Sequence, residues 1–193
     1  MLVFKRQAGV IAIVASTFLV SASILSYIYY EAAFSIGASY LSLPFLIFDT
    51  ILLGYFAYVG FKTENKKILF LSLIQIAILF ALESFEAKSG YDIVVDKLSV
   101  FMFLLINIVG SLILIYATRY IKDETTDISK QALFLAILTA FLGVMNMLVS
   151  ADNIKWLFLF FELTTLASFW LIGFRDNEES KNNARTALWM NQI

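Results

Sequence analysis

Two acidic residues of this 193-residue sequence lie inside long apolar stretches. Asp49 occurs in LSLPFLIFDTILLGYFAYVGF, and Glu162 occurs in FLFFELTTLASFWLIGF. A charge at the centre of a membrane helix costs about 2.5–3.5 kcal/mol on insertion scales, so such residues usually face a protein interior or a water-filled path, often as proton or ion sites. The alternative is a neutral carboxyl that is hydrogen-bonded to a neighbouring helix and has only a structural role.

The surroundings of Glu162 favour an ion pathway. On a helix that turns by about 100° per residue, Thr165 and Ser168 lie along the same flank as Glu162. Hydroxyl groups on that flank can hydrogen-bond a carboxylate or line a chain of water molecules. We therefore predict that Glu162 is an ion-translocation residue, with Thr165 and Ser168 as supporting polar residues.

The other intramembrane polar residues favour structural roles. The helical neighbours of Asp49 are all apolar, which favours a neutral, structural acid over an ion site. Asn107 and Asn146 are intramembrane amides, which we interpret as interhelical hydrogen-bond partners. All three remain candidates for supporting the Glu162 pathway.

The composition indicates a membrane protein and excludes several kinds of chemistry. Hydrophobic residues make up 61% of the chain and charged residues 15%, against about 45–50% and 25% in soluble domains. Cysteine and histidine are both absent, which excludes disulfides, thiolate or imidazole catalysis and Cys/His metal sites. No Gly-rich phosphate loop or basic, aromatic-interleaved patch supports nucleotide or nucleic-acid binding. We predict no cofactor, no metal site and no redox chemistry in this chain.

The apolar runs predict an all-α, polytopic bundle of transmembrane helices within a single domain, residues 1–193. Five runs reach the roughly 20 residues that a bilayer requires: 9–30, 41–61, 97–118, 131–149 and 154–174. A shorter run extends to a span at 66–85, and a further helix starts at about residue 186. The first run exceeds the core of about 7–15 residues in a signal peptide, so we interpret it as a retained span.

The basic residues predict a cytoplasmic N-terminus. With six spans, this orientation places eleven of the fourteen Lys and Arg residues on the cytoplasmic side, leaving only Lys88, Lys97 and Lys155 outside. Such an excess is what the positive-inside rule describes. Without the short third span, the basic residues at 119–130 would lie on the wrong side. We predict longer polar connections at about 83–96, 119–130 and 175–185.

Four short motifs in residues 94–193 point to a known family. They are DKLS at 96–99, ADN at 151–153, FE at 161–162 and LIGF at 171–174. In this order and spacing they resemble the antiporter-like subunits of respiratory complex I, of Mrp-type cation/proton antiporters and of membrane-bound hydrogenases. The chain departs from the family pattern in having three spans before DKLS, where two are usual, and Phe161 in a position that is often Trp.

The resemblance implies a role for Glu162 and a set of partners. Glu162 corresponds to the family's glutamate in the first half of the antiporter fold, which pairs electrostatically with a lysine on a later, broken helix. We expect the lysine-bearing helices to lie outside residues 1–193. The implied partners are the bilayer and other membrane subunits, including a larger antiporter-like subunit, in a prokaryotic plasma membrane.

The function implied is that of a multi-pass subunit in a multi-subunit respiratory redox or Mrp-type antiporter complex that translocates H⁺, Na⁺ or both. Oxidoreductase chemistry would then belong to the partner subunits. The alternative is a truncated subunit with a structural or assembly role, whose signature would be a Glu162 without polar partners and without a lysine in reach. A third hypothesis is an independent small transporter or assembly factor.

Overall fold

The computed structural model describes residues 7–30, 34–36, 42–84 and 92–193. Within these ranges the chain forms seven α-helices, two three-residue strands that pair with each other, and one turn of 3₁₀ helix at Gly173–Arg175. In chain order they are α1 (Ala8–Ile28), β1 (Phe34–Ile36), α2 (Ser42–Lys62), α3 (Lys66–Ser84), β2 (Ile93–Val95), α4 (Lys97–Glu124), α5 (Ile128–Ser150), α6 (Ile154–Ile172) and α7 (Glu178–Asn191). The predicted class, a polytopic helical membrane protein, is confirmed.

A helix occupies the place of every predicted span. In the described part of the chain, five helices are long and apolar enough to cross a membrane, judged by length and composition: α1, α2, α4, α5 and α6. The predicted third span is the 19-residue helix α3, which is not among these five. The exact number of spans and the orientation of the N-terminus stay predictions.

Two of the predicted polar connections are shorter than expected. Helix α4 continues six residues past the predicted end, to Glu124, so only residues 125–127 connect it to α5. The last helix begins at Glu178 and not near residue 186. The reason is local: the side chain of Asn177 caps this helix by accepting the backbone N–H of Ser180 at 2.7 Å. Two acidic residues in its first turn also complement the helix dipole.

The predicted helix start at DKLS is confirmed. Asp96 caps α4, and its Oδ1 accepts the backbone N–H of Ser99 at 2.8 Å and the Ser99 hydroxyl at 2.9 Å. These hydrogen bonds lower the pKa of Asp96 below its ordinary value, because they favour the ionised carboxylate. Helix α4 therefore begins with a charged cap.

The chain divides into two compact units, each made of two separate segments. Unit 1 comprises Met1–Phe34 and Val94–Ser150, and unit 2 comprises Ser35–Ile93 and Ala151–Ile193. Unit 1 thus contains α1, α4 and α5, which pack against one another. Unit 2 contains α2, α3, α6 and α7.

Polar side chains connect the helices of unit 1. Asn107 on α4 and Asn146 on α5 exchange two amide hydrogen bonds, at 3.1 and 2.9 Å. Asn107 also donates to the hydroxyl of Ser23 on α1 at 2.7 Å. Because each bond joins two different helices, the interpretation of Asn107 and Asn146 as interhelical partners is confirmed.

Unit 2 is built around an antiparallel pair of helices, α2 and α3. A short turn joins them, and Gly60 on α2 allows the backbones to approach closely at Leu69 on α3. The core of this unit contains Leu53, Phe56 and Ile68, all fully buried, together with Leu188 of α7. Helices α6 and α7 complete the unit by packing against α2 and α3 respectively. This arrangement brings polar residues from four elements into one interior.

Candidate functional site: a buried polar cluster around Glu162

The interior of unit 2 contains a polar cluster around Glu162. Its residues come from α2, α3, α6 and the position directly after α7, and the side chain of Glu162 is only 1% exposed. The other members are also more than nine-tenths buried. We call this set the Glu162 cluster: Asp49, Ser72, Gln75, Glu162 and Gln192.

A continuous path of hydrogen bonds holds one oxygen of the Glu162 carboxyl. Gln75 Nε2 donates to Glu162 Oε1 at 2.7 Å. Gln192 Nε2 in turn donates to Gln75 Oε1 at 3.1 Å and to Ser72 Oγ at 2.8 Å. The Ser72 hydroxyl donates to the backbone carbonyl of Ile68. Glu162 is therefore tied to the backbone of α3 through three polar side chains, which restricts its orientation.

Three other oxygens of the cluster are buried without a hydrogen-bond partner in the described residues. They are Glu162 Oε2, Asp49 Oδ1 and Gln192 Oε1. A buried acceptor that lacks a donor costs about 1–3 kcal/mol, and more when it is charged. Most buried polar groups in proteins have a hydrogen-bond partner, so these three oxygens distinguish the cluster from an ordinary contact between helices.

The two carboxyl groups of the cluster influence each other. Asp49 on α2 interacts electrostatically with Glu162 on α6. The helices that carry them share an apolar core with Leu52, Leu53 and Leu163. In such surroundings the effective dielectric constant is far below that of water, so the interaction between two buried charges is strengthened.

The predicted supporting residues have different placements. Thr165 is 1% exposed, but its hydroxyl donates to the backbone carbonyl of Phe161 at 3.1 Å and not to the Glu162 carboxyl. Ser168 is half-buried on the same helix. Asn107 and Asn146 bond to each other in unit 1. Of the supporting candidates, Asp49 is the one that interacts electrostatically with Glu162.

Sequence reasoning missed the residues that hydrogen-bond around the carboxyl. Ser72 and Gln75 lie three residues apart in LFLSLIQIAILF, so they share a face of α3. An amide side chain within an apolar run is the signal that identified Asn107, and the same signal could have identified Gln75. Gln192 follows a short, polar helix and carries no comparable signal.

The cluster does not resemble a transition-metal or calcium site. In the parts of the chain that the structure describes, no group of three or more His, Cys, Asp or Glu side chains is placed to hold a metal ion. Two carboxyls, two amides and a hydroxyl are hard oxygen or nitrogen groups. Their chemistry suits the binding or transfer of a proton or of a small monovalent cation.

The fold and the site together define a polytopic helical membrane protein with a buried carboxyl that is hydrogen-bonded through one of its two oxygens. Comparison with known proteins is more specific. Residues 82–130 match the family model described as NADH-ubiquinone oxidoreductase (complex I), chain 5 N-terminus. This match ends before Glu162.

Individual relatives extend the similarity. The chain is 36% identical over 112 residues to NADH-quinone oxidoreductase subunit L of Rickettsia typhi, an alignment that covers 58% of this chain and 16% of that protein. It is 35% identical over 100 residues to Na⁺/H⁺ antiporter subunit A1 of Staphylococcus haemolyticus, covering 51% of this chain and 12% of that protein. The resemblance to antiporter-like subunits is thus confirmed, over a small part of each relative's length. No solved structure matches the chain.

Proposed function

We propose that this chain is an integral subunit of a multi-subunit, ion-translocating membrane complex of the complex I or Mrp antiporter kind, and that Glu162 is part of its ion path. The observation that carries the proposal is the state of the Glu162 carboxyl. It is 1% exposed, one of its oxygens accepts a hydrogen bond from Gln75, and the other has no partner in the described residues.

This half-satisfied state supports an ion path over a structural role. A carboxyl kept only for packing would be expected either fully hydrogen-bonded or without polar neighbours. Glu162 instead has an amide partner from another helix and a second carboxyl, Asp49, within electrostatic range. The free oxygen can accept a proton or cation while Gln75 holds the other oxygen in place.

The names of the relatives support the wider assignment. They are named as subunits of an NADH-quinone oxidoreductase and of a Na⁺/H⁺ antiporter. By analogy, this chain would lie beside a larger antiporter-like subunit in a prokaryotic plasma membrane, and the electron-transfer chemistry would belong to other subunits. Among the described residues no salt bridge involves Glu162, so a positive partner for it would come from a neighbouring helix of the complex.

The test is Glu162→Gln in the intact complex, with Glu64→Gln as the matched control. Glu64 undergoes the same chemical change but lies exposed in the turn between α2 and α3. We expect both variants to assemble and to keep electron transfer where the complex has it, while Glu162→Gln lowers proton or sodium transport in proteoliposomes by about tenfold or more. Normal transport by Glu162→Gln would leave the structural role as the better explanation.

A further inference from the structure

A cavity of about 290 Å³ lies at one end of unit 2. Helix α2 ends at Lys62 and α3 begins at Lys66. Thr63, in the turn between them, lines the cavity together with Trp170 and Gly173 at the end of α6. At this end both apolar helices, α2 and α6, give way to charged segments. The cavity therefore lies where membrane helices leave the hydrocarbon and meet the lipid headgroups.

Most of the cavity wall is apolar. It includes Val59 of α2, Phe169 and Trp170 of α6 and Ala184 of α7. Val59 and Ala184 are buried, whereas Trp170 is 43% exposed. The indole Nε1 of Trp170 donates to the hydroxyl of Tyr55 at 3.3 Å, which fixes the ring against α2. The volume is at the lower end of the range of ligand pockets, about 300–1,000 Å³, so it suits a stretch of one hydrocarbon chain.

Two basic residues of α7, Lys181 and Arg185, also line the cavity, and their charges are balanced differently. Lys181 Nζ pairs with Asp176 at 3.0 Å and with Glu178 at 3.6 Å. Arg185 donates through Nε to the backbone carbonyl of Lys181 at 3.2 Å, and it forms no salt bridge within the described residues. Of these two basic residues, Arg185 is therefore the one that keeps an unbalanced charge.

The combination of an apolar wall and an unbalanced guanidinium selects an amphipathic anion. A guanidinium binds phosphate oxygens in pairs, and the Nε bond leaves the two terminal nitrogens of Arg185 for a ligand. Basic pockets between membrane helices bind anionic lipid headgroups in this way. A zwitterionic headgroup would also bring an ammonium group that needs an acidic partner, and Glu178 is already paired with Lys181.

We propose that this cavity binds an anionic phospholipid of the phosphatidylglycerol kind. Arg185 contacts the phosphate, and Val59, Phe169 and Trp170 contact one acyl chain. The lipid fills the space between α2, α6 and α7, so it braces this end of unit 2. The site goes beyond the proposed function and does not depend on the role of Glu162.

The experiment uses the whole complex, purified through a tag on this chain, with Trp170 replaced by the photoreactive aromatic residue benzoylphenylalanine. The complex is reconstituted into vesicles of equal amounts of phosphatidylglycerol and phosphatidylcholine with the same acyl chains. After irradiation, the mass of this chain shows which lipid is attached. The test variant is Arg185→Gln, and the control is Arg119→Gln, the same change at an exposed position of α4 in unit 1.

The expected result is a preference for phosphatidylglycerol that depends on Arg185. One basic residue near anionic lipid contributes about 1 kcal/mol, which is about fivefold in binding. We expect the phosphatidylglycerol adduct to exceed the phosphatidylcholine adduct by about that factor. Arg185→Gln should reduce the ratio to about one, and Arg119→Gln should leave it unchanged.

Three results would overturn the proposal. Equal labelling of both lipids before Arg185 is changed would mean that the cavity faces ordinary bilayer lipid. Attachment to another protein segment, or no lipid adduct, would mean that the cavity is not a lipid site. Loss of the lipid adduct on addition of inorganic phosphate would mean a site for a free anion, because phosphate has no acyl chain to contact the apolar wall.

A lipid analogue covers the case in which Arg185→Gln does not assemble. Phosphatidylglycerol methylated on its phosphate keeps the acyl chains and loses the negative charge. In the complex with Arg185 intact, this analogue should label the chain no more than phosphatidylcholine does. Equal labelling by the analogue and by phosphatidylglycerol itself would refute the contact between Arg185 and the phosphate.

Discussion

The close contact between α2 and α3 makes Gly60 a sensitive position. A Cβ atom added there would lie 2.7 Å from the backbone nitrogen of Leu69 and 3.0 Å from its Cα. Real Cβ atoms do not approach other heavy atoms so closely, and the obstacle is backbone, which no side-chain rotation removes. Gly60→Ala therefore has to push the two helices apart.

Gly54, in the same helix, is the matched control, because a Cβ there would meet nothing within 4 Å. Alanine is preferred over glycine inside a helix by about 0.5–1 kcal/mol, so Gly54→Ala should stabilise the protein by about that amount. Overpacking typically costs about 1–3 kcal/mol. We expect Gly60→Ala to be destabilising on that scale, so that the two variants differ in stability by roughly 2–4 kcal/mol.

The assay is thermal unfolding of the detergent-solubilised complex, followed by fluorescence-detected size exclusion. For a chain of this size, 1 kcal/mol corresponds to about 2–4 °C in Tm. Gly60→Ala should lower the transition by several degrees, whereas Gly54→Ala should leave it unchanged or raise it. If Gly60→Ala melts at or above the wild-type temperature, the helices are not as closely packed as described.

Three further changes test the polar contacts. Gln75→Leu removes the amide that donates to Glu162. We expect it to lower the free energy of unfolding by about 1.5–3 kcal/mol and to reduce ion transport. An unaltered Tm and transport rate would contradict the contact between Gln75 and Glu162. Asn107→Leu removes the two amide hydrogen bonds between Asn107 and Asn146. It should lower the free energy of unfolding by about 1–2 kcal/mol, which the same melting assay would detect. The lowered pKa of Asp96 means that its stabilising effect is complete above its ordinary value near 3.8 and is lost as the pH falls through the lower, folded value. Asp96→Asn keeps a capping oxygen, so it should melt like the wild type at neutral pH. Its Tm should fall less than that of the wild type when the pH is lowered. Equal falls in Tm for the two proteins would refute the charged cap.

Much of the architecture could be predicted because membrane helices follow local rules. Length and hydropathy located every long helix to within a few residues, apart from the C-terminal end of α4. There, the residues from Arg119 onward were assigned to a loop, but residues up to Glu124 continue the helix. Hydropathy shows where a helix leaves the apolar region, which is not where its hydrogen bonding stops. The start of α7 was missed for a related reason, since the cap at Asn177 lies in a polar segment without apolar periodicity.

The candidate site could be predicted only in part, because its contacts join residues that are far apart in sequence. Glu162 could be identified because a charged side chain is energetically unfavourable in an apolar membrane helix. Its bond to Gln75 joins residues 87 positions apart, and the bond between Gln192 and Ser72 spans 120 positions. No pattern within one helix predicts such pairs. The structural role predicted for Asp49 rested on its apolar helical neighbours, and it stays a prediction.

The division of unit 2 into two chain segments has a consequence for biosynthesis. Roughly 70 residues separate the end of α3 at Ser84 from the start of α6 at Ile154. At synthesis rates of about 5–20 residues per second, Gln75 would leave the ribosome about 4–17 s before Glu162, and Asp49 about 6–23 s before it. During that interval the newly inserted α2–α3 pair carries a carboxyl and an amide for which the later helices are not yet available. Slowing translation between these segments should lengthen the exposure of this pair and increase its loss to proteolysis before the unit is complete.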